Sequence, residues 1–178
     1  MDKKNQEKLK SIFPKKDFNE LSQELESLID LGYEYIEQED YKKSFNLFSL
    51  GFRLDKSNLD IINGLGISLF ELGRSSYSKR FFKKALDLYP EDAITLANLA
   101  GIFWEEGDYD SAIHFYFRSL KTDPFILETH LNIINLYYDQ GDLYMAYIAC
   151  LNLLDIYPSN DQAIELRDDI IMSMAISI

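Results

Sequence analysis

The sequence predicts an all-α fold made of stacked antiparallel helix pairs, and three observations predict it. From Ala93 to Ile126, two apolar-periodic runs of about a dozen residues flank the Gly107-Asp108 break, and Pro124 closes the second run. The same arrangement returns at a period of 34, with Gly73, Gly107 and Gly141 aligned at the break and Pro90, Pro124 and Pro158 at the end. Small residues also recur at two fixed places of this period, where paired helices need room to approach. A lone helical hairpin leaves its apolar face uncovered, so each unit must be covered by its neighbours.

In chain order, residues 1–16 read as a flexible basic tail, with Ile12 and Phe13 as their only adjacent large apolar pair and Pro14 interrupting any helix. From Asp17 the pattern changes. Asp17 and Glu20 make a capping pair, and Phe18, Leu21, Leu25 and Leu28 predict a helix that runs to about Gln38. Residues 17–178 are expected to form one domain of four repeats, 25–58, 59–92, 93–126 and 127–160, ended by a capping helix over 161–176. The expected core is a ladder of Leu31, Leu65, Leu99 and Ile133 with Tyr35, Leu69, Phe103 and Tyr137 on first helices, and Phe48, Phe82 and Tyr116 on second helices. Gly32, Gly66, Ala100 and Ile134, and Ser44, Ser78, Ala112 and Ala146, occupy the close helix crossings. The first repeat departs most, with Glu39 at the turn place and Lys56 at the proline place. On the last helix, Ala163, Ile164, Leu166, Ile170, Ile171 and Met174 form the predicted packing side.

Composition narrows the function. With 178 residues, 47% of them hydrophobic, there is apolar material for one domain. Cys150 is the sole cysteine, which excludes an internal disulfide and suits a reducing, cytoplasmic setting. No run approaches the roughly 20 apolar residues that cross a bilayer, so no membrane insertion is expected. The formal net charge is -12, and because residues 1–16 carry six lysines against Asp2 and Glu7, the rest sits at -16. Such a surface repels phosphate backbones, which disfavours nucleic acid and favours basic protein partners.

Chemistry is hard to place on this chain. His114 and His130 have no ligand at metal-binding spacing, and Gly64-Leu65-Gly66 lies in a helical run without the third glycine of a dinucleotide loop. The acidic stretch Glu105-Glu106-Gly107-Asp108-Tyr109-Asp110 lacks calcium-loop spacing, and Cys150 occupies a core place. No catalytic residue, cofactor or metal is expected, and the chain reads as a non-enzyme.

The 34-residue period with its turn glycines and closing prolines resembles the tetratricopeptide repeat over residues 25–158. The resemblance implies a right-handed α-solenoid of about four hairpins whose first helices line a concave face, which in this family holds extended peptides or partner helices. On that face the twelfth places hold Ile36, Phe70, Trp104 and Tyr138, and the thirteenth hold Glu37, Glu71, Glu105 and Asp139. Asn98 and Asn132 occupy the sixth places of repeats three and four, where O-linked N-acetylglucosamine transferase uses an asparagine ladder on the peptide backbone; Asp30 and Gly64 break it here. With the ninth places Gly101 and Asn135, the expected peptide-binding residues are Phe70, Glu71, Asn98, Gly101, Trp104, Glu105, Asn132, Asn135, Tyr138 and Asp139. Their carboxylates suit a partner with basic and apolar residues. They do not suit the acidic tails that other members clamp with lysines and arginine, since Asn63, Ile67, Asn98, Glu128 and Asn132 stand at the clamp places. A second expectation is an escort chaperone resembling the class II type III secretion chaperones, which are likewise small, acidic and often dimeric through an N-terminal segment. A homodimer through the N-terminal segment or the last helix belongs with that reading.

Overall fold

The computed structural model describes residues 18–176, and every regular element among them is helical. The order is α1 (Phe18–Glu37), α2 (Tyr41–Leu54), α3 (Leu59–Glu71), α4 (Ser75–Leu88), α5 (Ala93–Glu105), α6 (Tyr109–Thr122), α7 (Leu127–Asp139), α8 (Leu143–Ile156) and α9 (Asp161–Ile176). First helices start at Leu59, Ala93 and Leu127, and second helices at Tyr41, Ser75, Tyr109 and Leu143, each 34 residues after the one before. The all-α hairpin fold expected from the period is therefore the fold observed. Ile12, Phe13 and the Asp17–Glu20 cap, with the side chains of Phe18 and Leu21, lie outside the described residues.

Most helix starts are set by one short polar side chain. Asp40, Asn58, Asp92, Asp108, Asp142 and Asn160 each accept a hydrogen bond from the backbone N–H three residues on, which satisfies one of the free donors of a first turn. The turns between paired helices need a left-handed residue, and Gly73, Gly107 and Gly141 supply it at φ 71°, 76° and 74°. Glu39 stands at the same place in the first hairpin and adopts φ 57°, so that hairpin turns the same way without the glycine.

The chain divides into two compact units at Pro90–Glu91. In the first, α1 pairs with α2 and α3 with α4, while α2 also packs on α3 and α1 on α3. Its centre is Phe48, 1% exposed, whose ring lies where a side chain on Gly32 or Gly64 would have to be. Phe82 fills the corresponding space beneath Gly66. The Gly64-Leu65-Gly66 triplet is therefore a packing feature: two missing side chains admit two rings from the flanking helices. Ser44 and Ser78 are fully buried and satisfied, Ser44 Oγ lying 2.7 Å from Ser68 Oγ and Ser78 Oγ donating to the Gly66 carbonyl at 2.6 Å. Leu31 departs from the expected ladder, being 39% exposed at the outer side of α1.

In the second unit, α5 pairs with α6, α7 with α8, and α9 packs on α8. One continuous core runs through Ala100, Ala112, Tyr116, Ile134, Ala146, Cys150, Leu153, Ala163 and Ile170. Fully burying large side chains such as these contributes roughly 1.5–3 kcal/mol each. Ala112 and Ala146 are the small residues at the close crossings and are wholly buried. Cys150 stands where the preceding hairpin has Tyr116, and its Sγ lies 3.8 Å from the Ala163 carbonyl of α9, so the smaller residue gives α9 its seat. On α9 itself Ala163 and Ile170 are buried as the pattern predicts, but Ile171 is 45% exposed. It follows Ile170 by one residue, about 100° further round the helix, and misses the buried stripe.

Candidate peptide-binding site

The second unit brings the sixth places of its two first helices to a single cavity of about 390 Å³. Asp92 caps α5 through Thr95, and the helix then carries Ala93, Ile94, Ala97 and Asn98 along the cavity wall. Glu128, Thr129 and Asn132 of α7 line the opposite side, and Asp123 and Ile126 close the end between α6 and α7. α5 and α7 are adjacent, so Asn98 and Asn132 face one space from neighbouring helices.

Its electrostatics are acidic and its polar groups are unequal. Asp123 accepts from the Phe125 N–H at 2.9 Å, which holds its carboxylate at the cavity mouth. Glu128 is exposed in the first turn of α7, and its negative charge reaches Tyr116, whose phenol is pushed above its ordinary range by burial and then by Glu128. Beneath the rim, Ser119 Oγ donates to the Ala93 carbonyl at 2.7 Å and satisfies the buried floor. Asn98 is the exception. Its Nδ2 is buried yet makes no hydrogen bond among the described residues. Ile94, 57% exposed, adds an apolar surface beside these groups.

Of the residues expected from the sequence, Asn98 and Asn132 line this cavity; Gly101, Trp104, Glu105, Asn135, Tyr138 and Asp139 lie on the same two helices but not in its lining. Gly101 has open space above it, a Cβ there meeting only the Tyr116 hydroxyl at 3.6 Å. Trp104 is partly buried against the core, and the Tyr138 hydroxyl lies 3.1 Å from Ser173 Oγ of α9. Glu105 and Asp139 are exposed at the ends of α5 and α7. Phe70 and Glu71 end α3 in the first unit, Phe70 half-buried and Glu71 exposed. The wall residues not chosen from the sequence are Ala93, Ile94 and Ala97 of α5 and Glu128 and Thr129 of α7. Asp92, Asp123 and Ile126 come from the connections, where the 34-residue pattern carries no directional signal.

Among the described residues no group of three or more His, Cys, Asp and Glu side chains could hold a metal ion. Burial pushes the Cys150 thiol up to about 11, against the charge of Arg167, which leaves it unreactive. His130 Nε2 lies 2.9 Å from the Pro124 carbonyl and braces the turn into α7. No described helix is long and apolar enough to cross a membrane.

Helix pairs recurring every 34 residues, with left-handed turn residues and small crossings, define a tetratricopeptide-repeat protein. The chain belongs to the family described as RNA polymerase I-specific transcription initiation factor Rrn11, whose model matches residues 2–123. It is similar to anaphase-promoting complex subunit 3 of Schizosaccharomyces pombe, 27% identical over 92 residues, which is 52% of this chain and 14% of that protein. An uncharacterized protein ycf37 of Pyropia yezoensis is 36% identical over 61 residues, 34% of each chain. The chain thus matches no more than about a third of the length of these curated relatives.

Solved structures give the same fold. pilF of Pseudomonas aeruginosa is 15% identical with a TM-score of 0.76, over 86% of this chain and 70% of that one. A chain of the APC/C hetero-tetramer Cut9-Hcn1 is 20% identical with a TM-score of 0.72, over 80% of this chain and 29% of that one. YrrB, described as a TPR protein with an unusual peptide-binding site, is 21% identical with a TM-score of 0.64, over 77% of this chain and 71% of that one.

Proposed function

We propose that this chain is a non-enzymatic protein-interaction module whose second unit holds an extended polypeptide segment across α5 and α7. The observation that carries the reading is the buried, unpartnered Nδ2 of Asn98 beside Asn132 in an open cavity. A buried donor left without a partner costs about 1–3 kcal/mol, and a peptide carbonyl entering the cavity would remove that cost. An amide also offers both donor and acceptor, so it suits a backbone whatever its side chains. Asp123 and Glu128 at the mouth favour a lysine or arginine in the bound segment, and Ile94 favours an apolar neighbour. The peptide-binding site described for YrrB supports the same use of the fold, and the family description points to an assembly role in transcription initiation by RNA polymerase I. The escort-chaperone reading draws on the N-terminal segment, which lies mostly outside the described residues.

The test uses short peptides that pair a lysine or arginine with a leucine, titrated by fluorescence anisotropy against the wild-type chain and Asn98→Leu. Binding that is lost in Asn98→Leu, and weakened by Glu128→Lys, is the expected result. Equal affinity for all three proteins would remove the site.

A further inference from the structure

We infer that the outer groove between α2 and α4 of the first unit is a second docking site, and that its occupant is an acidic segment of a protein partner carrying apolar residues on one side. This inference is independent of the cavity between α5 and α7. Two adjoining cavities, of about 560 and 470 Å³, lie along the second helices of this unit and share Phe52, Tyr77 and Phe81. Their floor is apolar, with Leu65 and Leu69 of α3 beneath the first and the Phe52 and Phe81 rings meeting edge to face at 5.5 Å. Tyr77 stands 58% exposed above it. Aromatic surface left open in this way is what an apolar face of a partner would cover.

The rim is cationic. Arg53 and Arg74 line one cavity and Arg80 and Lys84 the other. None of these four cations belongs to the ion pairs Lys43–Asp40 and Arg167–Asp168. The charge is segregated by helix: α2 and α4 hold Lys42, Lys43, Arg53, Lys79, Arg80, Lys83 and Lys84 against Asp87 alone. α1 and α3 hold eight carboxylates and no cation. In a chain of net charge -12, a cationic rim around an aromatic floor is complementary to carboxylates spaced between apolar side chains. A polypeptide fits better than a nucleic acid. The Phe52 and Phe81 rings are half-buried against one another and not open for base stacking, and the carboxylates of α1 and α3 repel an extended phosphate chain.

The experiment pans a random displayed peptide library on the full-length chain, with Arg80→Glu/Lys84→Glu as the counter-selection. Clones that discriminate the two proteins are expected to be rich in Asp and Glu interspersed with Phe, Leu or Met. A resynthesised clone should lose about tenfold or more in affinity for the double variant, and should also weaken with Tyr77→Ala and with added salt. It should bind Asn98→Leu as it binds wild type, which separates this site from the other. Circular dichroism of all three variants establishes that the fold is kept. The inference fails if no clone discriminates or if the discriminating clones lack acidic residues. It fails equally if the double variant loses instead the binding of a labelled single-stranded oligonucleotide, or a concentration-dependent self-association seen by sedimentation.

Discussion

The Nδ2 of Asn98 has left water without gaining a partner, so at this residue stability and binding pull in opposite directions. Asn98→Leu keeps the volume and removes the unpaired donor. It should leave the thermal midpoint unchanged or raise it by the equivalent of about 1 kcal/mol, while abolishing peptide binding. A lowered midpoint with binding retained would make Asn98 a structural residue. Gly64 presents the opposite case, where the side chain is absent because Phe48 occupies its place. Gly64→Ala should cost about 1–3 kcal/mol or more, since the ring sits in the middle of a filled core; a helix-propensity gain of nearly 1 kcal/mol is too small to offset it. Thermal denaturation followed by circular dichroism measures the balance. The sequence showed that Gly64 interrupts the asparagine series, but not why. The reason is a ring from the preceding helix, and no one-dimensional pattern records which ring points where.

At the scale of the helix, boundaries were legible because they follow local rules. Glycine at the turn, Asp or Asn before a first helix and proline after a second all act within a few residues. The start of α7 is where those rules lapse. Ile126 stands where Asn58, Asp92 and Asn160 cap the other first helices, makes no side-chain cap, and lines the cavity instead. The first backbone bond of α7, from His130 N–H to the Ile126 carbonyl, is correspondingly long at 3.4 Å. Restoring the pattern with Ile126→Asp should stabilise the chain by about 0.5–1 kcal/mol, read as a higher urea midpoint at unchanged m-value. The same change replaces an apolar wall with a carboxylate and should shift the bound peptide toward stronger basic character. A destabilised Ile126→Asp would show that the apolar contact at this place outweighs a cap. The core ladder was legible at most rungs because buried places recur; Leu31 failed at the first rung, being 39% exposed, and on α9 Ile171 failed because it stands one residue round from the buried stripe.

Over the whole molecule, charge is divided more sharply than the formal total suggests. Residues 1–90 hold 15 acidic and 15 basic side chains, so they are neutral, and residues 91–178 hold 15 acidic against 3 basic and carry the entire -12. The core of that second unit also holds groups whose ionisation is suppressed. Burial raises Cys150 from 9.0 to about 11, and raises Tyr116 and Tyr137 with added repulsion from Glu128 and Asp142. A raised folded pKa means the unfolded chain releases its proton first. Stability is therefore intact below about pH 9 and should fall as pH rises toward and past 11, seen as a declining urea midpoint.

Added alkali and the standing negative charge act in the same direction on the second unit, and salt should oppose both. Trp104, the single tryptophan, sits in α5 and reports on that unit alone. Fifteen carboxylates with three cations repel one another, and at 0.1 M ionic strength the screening length is about 10 Å, comparable to the spacing of neighbouring helices. Raising sodium chloride from near zero at neutral pH should lift the Trp104-monitored melting midpoint by the equivalent of about 1 kcal/mol, roughly 4–8 °C for a unit of this size. Charge reversal at the exposed Asp169 on α9 should reproduce part of that gain without salt, because it removes the repulsion and does not merely screen it. A midpoint indifferent to salt would mean that the acidic surface carries no folding cost. The same titration should weaken a bound basic peptide, so conditions that favour the folded second unit are the ones that loosen its ligand.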